Sequence, residues 1–449
     1  MIKSGDIFVC IKGFKDNGYR YIEKAEDRGA VAIVADSITY SKIPVILCEN
    51  PRRKMAELAK RIYKNPDEKM KLIGVTGTNG KTTVTHLIRD ILVEAGEKVA
   101  MIGTNGCYYN NQPTGEIFQN STTPDSAQMY RILNNMYELG CKYAVCEVSS
   151  HALVLDRVYG MDFDIGIFTN LTQEHLDFHK NMENYFAAKE KLFKMSKNCI
   201  INTDDEYGKR LYDKFKEKSK SIGRYDAEVL AKDIKYDITG AEFIISDKAK
   251  DRNAKIPIPG EFSVYNALCA YAAGLAMGID EGIILKALEN TKGVKGRCER
   301  VECDAEFSVV IDYAHTPDGL AKIIKTMKNV AKGRVITLFG CGGNRDCTKR
   351  PMMGKISGEL SDFSIITSDN PREENPVKII KDIETGIRFV TDNYITIIDR
   401  FEAIKYAIGM AKANDVVLLA GKGHEDYIIK GTQKIHFDER EAVRKIINE

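Results

Sequence analysis

The stretch that most constrains this sequence is Gly74-Val75-Thr76-Gly77-Thr78-Asn79-Gly80-Lys81-Thr82-Thr83, set between an apolar segment at 72–75 and a helical pattern at 81–95. Glycines let backbone N–H groups approach phosphate oxygens, Lys81 adds charge, and the Thr82 hydroxyl stands at the helix start where Mg²⁺ would be held. Strand, glycine-rich turn and helix in that order predict a parallel α/β sheet. The strict P-loop spacing wants glycine where Val75 stands, so the motif departs by one position, and an ordinary tight turn is the bland alternative. Directly after a buried strand, the run Gly77, Thr78, Asn79, Gly80, Lys81, Thr82 and Thr83 favours phosphate binding over a structural turn.

At roughly 150 residues per domain, the 449-residue length suggests about three domains. Strand-like runs at 6–11, 30–35 and 44–47 with helical patterns at 18–28 and 52–63 predict a small α/β unit, and the polar residues 64–68 read as a linker. Buried strands are expected at 143–148 and 164–168, and a hairpin insertion at 103–120 around Asn110-Asn111. Beyond 295, strands at 308–311, 335–339, 364–367, 395–398 and 416–419 alternate with helices near 317–331, 376–390 and 400–413, which predicts a Rossmann-like parallel sheet.

Charge narrows the function classes. Against 66 Lys+Arg stand 64 Asp+Glu, a net charge of +2, which argues against nucleic acid as a partner. No apolar run approaches the ~18 residues of a membrane span, and the first residues lack a signal-peptide pattern, so a cytoplasmic protein without membrane insertion is expected. The 11 cysteines form no CxxC pair and read as reduced thiols.

Glu147-Val148-Ser149-Ser150-His151 follows a predicted strand, where ligands collect in open α/β sheets, and its carboxylate is placed for a metal. His175 and His179 stand at i, i+4, a spacing that suits a helix face as well as a metal site. Acidic groups and a single His suit Mg²⁺ beside a triphosphate better than zinc. The pattern of residues 185–193 by itself describes an amphipathic helix with Lys189 on its solvated face.

The strings GTNGKTT, STTPDS, EVSSHAL, NLTQEHLDFH, AAKEKLF, GRCERV, DYAHTPD, FGCGGNRD, KRPMMG, SDNPR and AGKGHED occur here in one order, and the likeness they carry extends from Gly5 to about Glu441. With them the chain resembles the Mur ligases of peptidoglycan synthesis, and most of all the branch that adds meso-diaminopimelate to a UDP-N-acetylmuramoyl dipeptide. The resemblance implies an α/β fold of three domains: a shortened N-terminal UDP-substrate domain at 1–68, a central P-loop-type ATPase domain at 69–295, and a Rossmann-like amino-acid domain at 296–449. It implies an ATP-dependent carboxylate–amine ligase that forms an acyl phosphate on the D-glutamate γ-carboxylate.

By the same resemblance Lys189 is the lysine carbamylated by CO₂, which turns a cation that would repel Mg²⁺ into an anion that holds it. Thr82, Glu147, His175 and Lys189 would hold two Mg²⁺ ions, with Lys81 on the phosphates. Thr122, Thr123, Ser149 and Arg157 would bind the muramoyl dipeptide. ATP would also use Asn266, Asp312 and His315, with Arg297 reaching its phosphates. Position alone offers plainer roles, Asn266 as a helix cap and Arg297 as a partner of Glu299. Asp369-Asn370-Pro371-Arg372 resembles the signature of diaminopimelate users: a guanidinium and two acceptors can read the carboxylate and ammonium at the amino acid's far end. Arg345, Gly421 and Glu425 resemble the remaining contacts.

Two departures from the family stand out. It carries some tens of residues before Gly5, with an Asp-Ser-Arg string for the uridine diphosphate, whereas this sequence begins at Met1-Ile2-Lys3; either the start was placed late or the acceptor of a shortened paralogue lacks the nucleotide. Asn344 stands where Asp is common, a neutral change expected to be tolerated. The rival readings are a lysine-adding, folylpolyglutamate- or cyanophycin-type ligase, which gives no reason for Arg372 in its string, and a silent nucleotide-binding subunit, against which Lys81, Glu147, His175 and Lys189 speak.

Overall fold

In a computed structural model, residues 2–13, 16–116, 118, 121–248 and 250–449 are described. The chain forms two compact units, one of residues 1–229 and 269–284, the other of residues 230–268 and 285–449.

The first unit opens with a three-stranded parallel sheet, Ile7–Val9, Ala32–Ala35 and Val45–Leu47, closed over Cys10, Ile22 and Ile33. Helix Pro51–Ile62 starts where Asn50 caps the N–H groups of Arg52 and Arg53 and proline takes the first helical position, and it packs on helix Ser126–Glu138. The polar stretch after it is not a free linker. Pro66–Glu68 is a 3₁₀ turn whose Asp67 is buried and held by Lys60 at 2.8 Å, and Lys60 also donates to the Gly160 carbonyl. Charge composition suggested solvent exposure, but a buried ion pair docks this segment.

The main sheet of this unit runs Ser219–Gly223, Ser196–Asn202, Phe163–Phe168, Lys71–Thr76, Tyr143–Glu147 and Val99–Gly103, all parallel where paired. Strand Lys71–Thr76 lies in the middle, between Phe163–Phe168 and Tyr143–Glu147, so the ends of those three strands open side by side. Such a reversal of strand order makes a crevice at the carboxyl edge. The expected hairpin is present as Gly106–Tyr109 and Gln112–Pro113, turning at left-handed Asn110; residues 117, 119 and 120 of that stretch lie outside the described residues.

The second unit contains the antiparallel pair Gly240–Asp247 and Lys250–Ile256, which charged alternation concealed in the sequence. Its six-stranded sheet has the order Glu299–Val301, Ser308–Asp312, Val416–Ala420, Val335–Phe339, Phe363–Ile366, Tyr394–Thr396. All pairs are parallel except the first, so the expected Rossmann-like sheet carries one antiparallel edge. Thr316-Pro317 and Asn375-Pro376 start two of its helices, each with a capping side chain followed by proline. The core is Val309, Ile311, Ile336, Leu338, Ile365, Val417 and Leu419.

Candidate active site

In the first unit, Gly77 and Gly80 bend the loop between strand Lys71–Thr76 and helix Lys81–Glu94, both with positive φ. A side chain at Gly77 would collide with the Thr169 hydroxyl, so only glycine lets the loop pass the neighbouring strand. The loop is tied down on that side. Thr78 N donates to the Asn170 carbonyl at 2.8 Å, Asn79 N to Asn170 Oδ1 at 3.0 Å, and the Thr169 hydroxyl to the Asn79 carbonyl at 2.6 Å. Lys81 Nζ folds back onto the carbonyls of Gly77 and Thr78, both at 2.8 Å.

Glu147 ends its strand buried, its carboxylate accepting from Thr82 Oγ1 at 3.1 Å, Thr104 N at 2.9 Å and Thr104 Oγ1 at 3.0 Å. A carboxylate beside a P-loop hydroxyl is an oxygen donor set of the kind that Mg²⁺ takes, so the residues present fit that ion. Around the same strand end, the Thr123 hydroxyl donates to the Glu147 carbonyl at 2.8 Å and accepts from Ser149 N at 3.1 Å. Arg157 donates to the Thr123 carbonyl at 2.7 Å, and the Thr104 hydroxyl, its proton on Glu147, can accept from that of Thr122 at 3.3 Å. Metal and acceptor candidates therefore share one crevice wall.

Lys189 is not on a solvated face. Its side chain is 1% exposed, lies over the Tyr185 ring at 4.6 Å, and donates to the Gly77 carbonyl at 2.8 Å. Burial, with Lys81 adding to it, holds the ammonium well below the usual lysine range, and Glu174 opposes the shift. Tyr185 hydrogen-bonds Thr78 Oγ1 at 3.2 Å and stacks on His179 at 4.8 Å between ring centroids.

His175 and His179 both turn toward the His151 and Tyr185 rings. His175 is left-handed, φ +56°, and caps the short helix Leu176–His179. Its ring meets His151 edge-on at 4.8 Å, while His179 bonds Ser150 Oγ at 2.9 Å. Burial lowers the His175 pKa, Glu174 opposing and Lys81 and Lys189 reinforcing, so the neutral, ligating form is favoured. Burial likewise pulls His151 and His179 down to about 4. Among the described residues, no three His, Cys, Asp or Glu side chains are grouped to hold a metal ion.

In the second unit, Asp369 and Asn370 follow strand Phe363–Ile366 and are both buried. Asn370 Nδ2 donates to Glu425 Oε2 at 2.7 Å, and its Oδ1 accepts from Ile429 N at 2.9 Å and Lys422 Nζ at 3.3 Å. Lys422 also reaches Asp369 Oδ1 at 3.3 Å. Arg372, with φ +51°, donates one guanidinium nitrogen to the Gly343 carbonyl at 2.8 Å. Arg345 is exposed on the facing loop, and Gly421, φ +113°, donates to the Asp312 carbonyl at 3.0 Å. Burial raises the Glu425 pKa, with Asp369 adding, while Lys422 and Asn370 oppose.

These arrangements agree with what the chain is similar to. A Mur ligase middle-domain model matches residues 75–274 and a Mur ligase glutamate-ligase-domain model matches 296–423. A UDP-N-acetylmuramoyl-L-alanyl-D-glutamate–2,6-diaminopimelate ligase of Clostridium tetani is 47% identical over 100% of this chain and 93% of its own. The chain belongs to the Mur ligase family. A solved structure of a ligase of that same title is 31% identical, with TM-score 0.72 over 100% of this Mur ligase and 93% of that chain. The Thermotoga maritima MurF ligase solved with ADP is 19% identical, with TM-score 0.67 over 100% and 96% of the two chains, and shows the shared fold.

In this Mur ligase the plainer roles for Asn266 and Arg297 do not hold. Asn266 lies inside helix Glu261–Ala276, buried and not at its cap. Glu299 is taken by Arg440, at 2.8 Å from Nε, and Arg297 instead lies over the Tyr313 ring at 4.9 Å. Asp312 accepts from Cys298 N at 2.7 Å and Ala314 N at 2.9 Å, and burial raises its pKa against the pull of Arg297. His315 bonds the Tyr313 carbonyl at 2.9 Å. Asn344 is left-handed, φ +51°, a conformation Asn adopts readily, and its Oδ1 accepts from Glu373 N at 3.1 Å. All 11 cysteines are free thiols. Sequence reasoning missed Thr104, Tyr185 and Lys422; only Lys422 had a signal, a cation inside the string AGKGHED between Gly421 and Glu425.

Proposed function

We propose that this chain is an ATP-dependent ligase that joins meso-diaminopimelate to the D-glutamate γ-carboxylate of UDP-N-acetylmuramoyl-L-alanyl-D-glutamate. The supporting observation is the mixed-charge cluster of Asp369, Asn370, Arg372 and Glu425, whose acids and guanidinium match an amino acid carrying both an ammonium and a carboxylate at its far end. The relatives' names point the same way, and a folylpolyglutamate or cyanophycin substrate gives no use for Arg372.

In this reading the γ-carboxylate oxygen attacks the γ-phosphorus of ATP and ADP leaves; the amine nitrogen then attacks the acyl carbon, phosphate leaves, and the amine gives up a proton. The loop N–H groups and Lys81 cradle the phosphates, since catalysis here is positioning and charge neutralisation. Thr82, Glu147, His175 and Lys189 as a carbamate would hold Mg²⁺, which neutralises phosphate charge when bound. Lys189 suits carbamylation because burial beside Lys81 favours its neutral amine; that amine adds to CO₂ and releases one proton.

Thr122, Thr123, Ser149 and Arg157 are assigned to the muramoyl dipeptide. Asn266, Arg297, Asp312 and His315 are assigned to ATP, and Arg345 and Gly421 to the amino acid. The three-domain division at 1–68, 69–295 and 296–449 belongs to the same proposal, as does a cytoplasmic location; no helix among the described residues is long and apolar enough to cross a membrane. The test is ADP release with the muramoyl dipeptide and each of meso-diaminopimelate, lysine and ornithine. Turnover with diaminopimelate well above the other two is expected, and a preference for lysine overturns the substrate assignment.

A further inference from the structure

Lys422 is the one fully buried cation beside Asp369 and Glu425 among the described residues, with a side chain 0% exposed against 9% for Asp369 and 16% for Glu425. It reaches Asp369 Oδ1 and Asn370 Oδ1 at 3.3 Å each, and lies 3.6 Å from Glu425 Oε2. Because Oδ1 of Asn370 also accepts from Ile429 N at 2.9 Å, two donors fix the orientation of this amide. Its Nδ2 is thereby turned to Glu425, at 2.7 Å. The ring of Tyr427 covers the ammonium at 5.9 Å.

Arg372 set apart, since the proposed reading spends its guanidinium on the substrate's far carboxylate, the ammonium side of the cluster holds two carboxylates, Asp369 and Glu425, against one ammonium, Lys422, which leaves one net negative charge. Two close carboxylates without the lysine would repel and share a proton. With it, an ammonium 3.3 Å from Asp369 Oδ1 and 3.6 Å from Glu425 Oε2 opposes that repulsion. We infer that Lys422 is a positioning and specificity-determining residue: it sets the charge of the amino-acid site to the single negative charge that one substrate ammonium neutralises, and it orients Asn370 so that Nδ2 holds the Glu425 carboxylate in place for that ammonium. Lys422 itself does not touch the substrate. This rests on the proposed reading of the second unit as the amino-acid site.

The sign of the effect separates charge balance from mere packing. Asp369→Asn alone leaves Glu425 and Lys422, net zero, and removes the attraction for the ammonium. Lys422→Met alone leaves two unopposed acids. The double variant Asp369→Asn/Lys422→Met restores one net negative charge. Steady-state kinetics of the full chain with meso-diaminopimelate, ATP and dipeptide are compared for all four proteins, together with melting temperatures.

The double variant is expected to exceed Asp369→Asn in kcat/KM for diaminopimelate by about tenfold, the size of a coupling between contacting charges, with the gain in KM. The KM for ATP should change less than the KM for diaminopimelate in every variant, since the charge acts first on the substrate that carries the ammonium. If Lys422 is only a packing residue, removing it adds a second loss, and a double variant equal to or worse than Asp369→Asn overturns the inference. That comparison does not need Lys422→Met to fold. If the wild type turns over a different amine and not diaminopimelate, the substrate reading fails, and the same ordering of variants with that amine decides the role of Lys422.

Discussion

Lys81 and Lys189 donate to the same oxygen: both ammonium groups lie 2.8 Å from the Gly77 carbonyl. Two cations converging on one acceptor repel, and the fully buried one yields, so Lys189 is the group whose charged form is disfavoured. In the proposed mechanism that neutral amine adds CO₂, and a repulsion becomes an attraction once the carbamate forms. Lys189→Ala is expected to abolish turnover, with partial recovery on adding short-chain carboxylates. Native mass spectrometry at neutral pH should show a labile adduct of about 44 Da on the wild type, as an anionic metal ligand requires. Unchanged activity in the alanine variant removes the lysine from the mechanism.

The proposed mechanism gives Lys81 the opposite role, a cation on the phosphates. Lys81→Ala is expected to lower kcat by roughly 10³-fold while dipeptide affinity changes little, because the charge acts mainly on the transferring phosphoryl group. A matching loss of dipeptide affinity would place Lys81 in substrate binding instead.

Thr104 supplies two of the three hydrogen bonds to the Glu147 carboxylate. Thr104→Val keeps the backbone donor and the volume but removes the hydroxyl. The Mg²⁺ concentration for half-maximal activity should rise about tenfold, the usual cost of losing a residue that orients a metal ligand, with melting temperature nearly unchanged. An unaltered Mg²⁺ dependence would mean that Glu147 is held well enough by Thr82 and the backbone N–H of residue 104.

The parts legible in the sequence were those encoded locally. The glycine-rich loop and the strand–helix alternation after 300 depend on residues adjacent in the chain, and strand Val335–Phe339 falls where its apolar run lies. Lys189 was misread by periodicity because its partner, the Gly77 carbonyl, is 112 residues away. The 64–68 stretch was misread for the same reason, since its buried ion pair with Lys60 looks like surface charge in one dimension. Strand Val229–Asp237 was missed because Lys232, Asp233, Lys235 and Asp237 interrupt its apolar residues. A lysine in a glycine-rich string reads as exposed, and nothing local announces that Lys422 is enclosed.

Arg400 and Glu439 form a fully buried ion pair at 2.7 Å, and the same guanidinium donates to the Ala420 carbonyl at 3.0 Å and the Ser368 carbonyl at 3.3 Å. Those carbonyls immediately precede Gly421 and Asp369, so one buried arginine ties together the two strand ends that carry the amino-acid site. Arg400→Met should destabilise the chain by about 3–5 kcal/mol, since it leaves Glu439 buried without its partner. Arg400→Met/Glu439→Leu should recover most of that loss in chemical denaturation. A single variant as stable as wild type would show that the pair contributes nothing.

The proposed amino-acid preference rests on Arg372. Its guanidinium spends one nitrogen on the Gly343 carbonyl at 2.8 Å and leaves the others for a carboxylate, while its left-handed backbone is held by Arg372 N donating to the Ile429 carbonyl at 3.0 Å and Gly431 N to its own carbonyl at 2.7 Å. The loop thus fixes the guanidinium before any substrate arrives, which favours a two-point contact over a flexible one. Arg372→Ala and Arg372→Lys should each cut kcat/KM for meso-diaminopimelate by roughly 10²-fold or more, because a charge-assisted planar pair is lost and an ammonium does not replace it. Lysine should suffer far less. It lacks the carboxylate, so in the wild type it leaves the guanidinium unmatched, and the variant removes that penalty. The ratio of the two kcat/KM values should therefore collapse toward unity even where turnover of lysine stays low. Measuring both with ATP and dipeptide saturating decides it: a variant that keeps its diaminopimelate preference reduces Asp369-Asn370-Pro371-Arg372 to a structural turn, while the ligase chemistry at Lys81 and Lys189 stands.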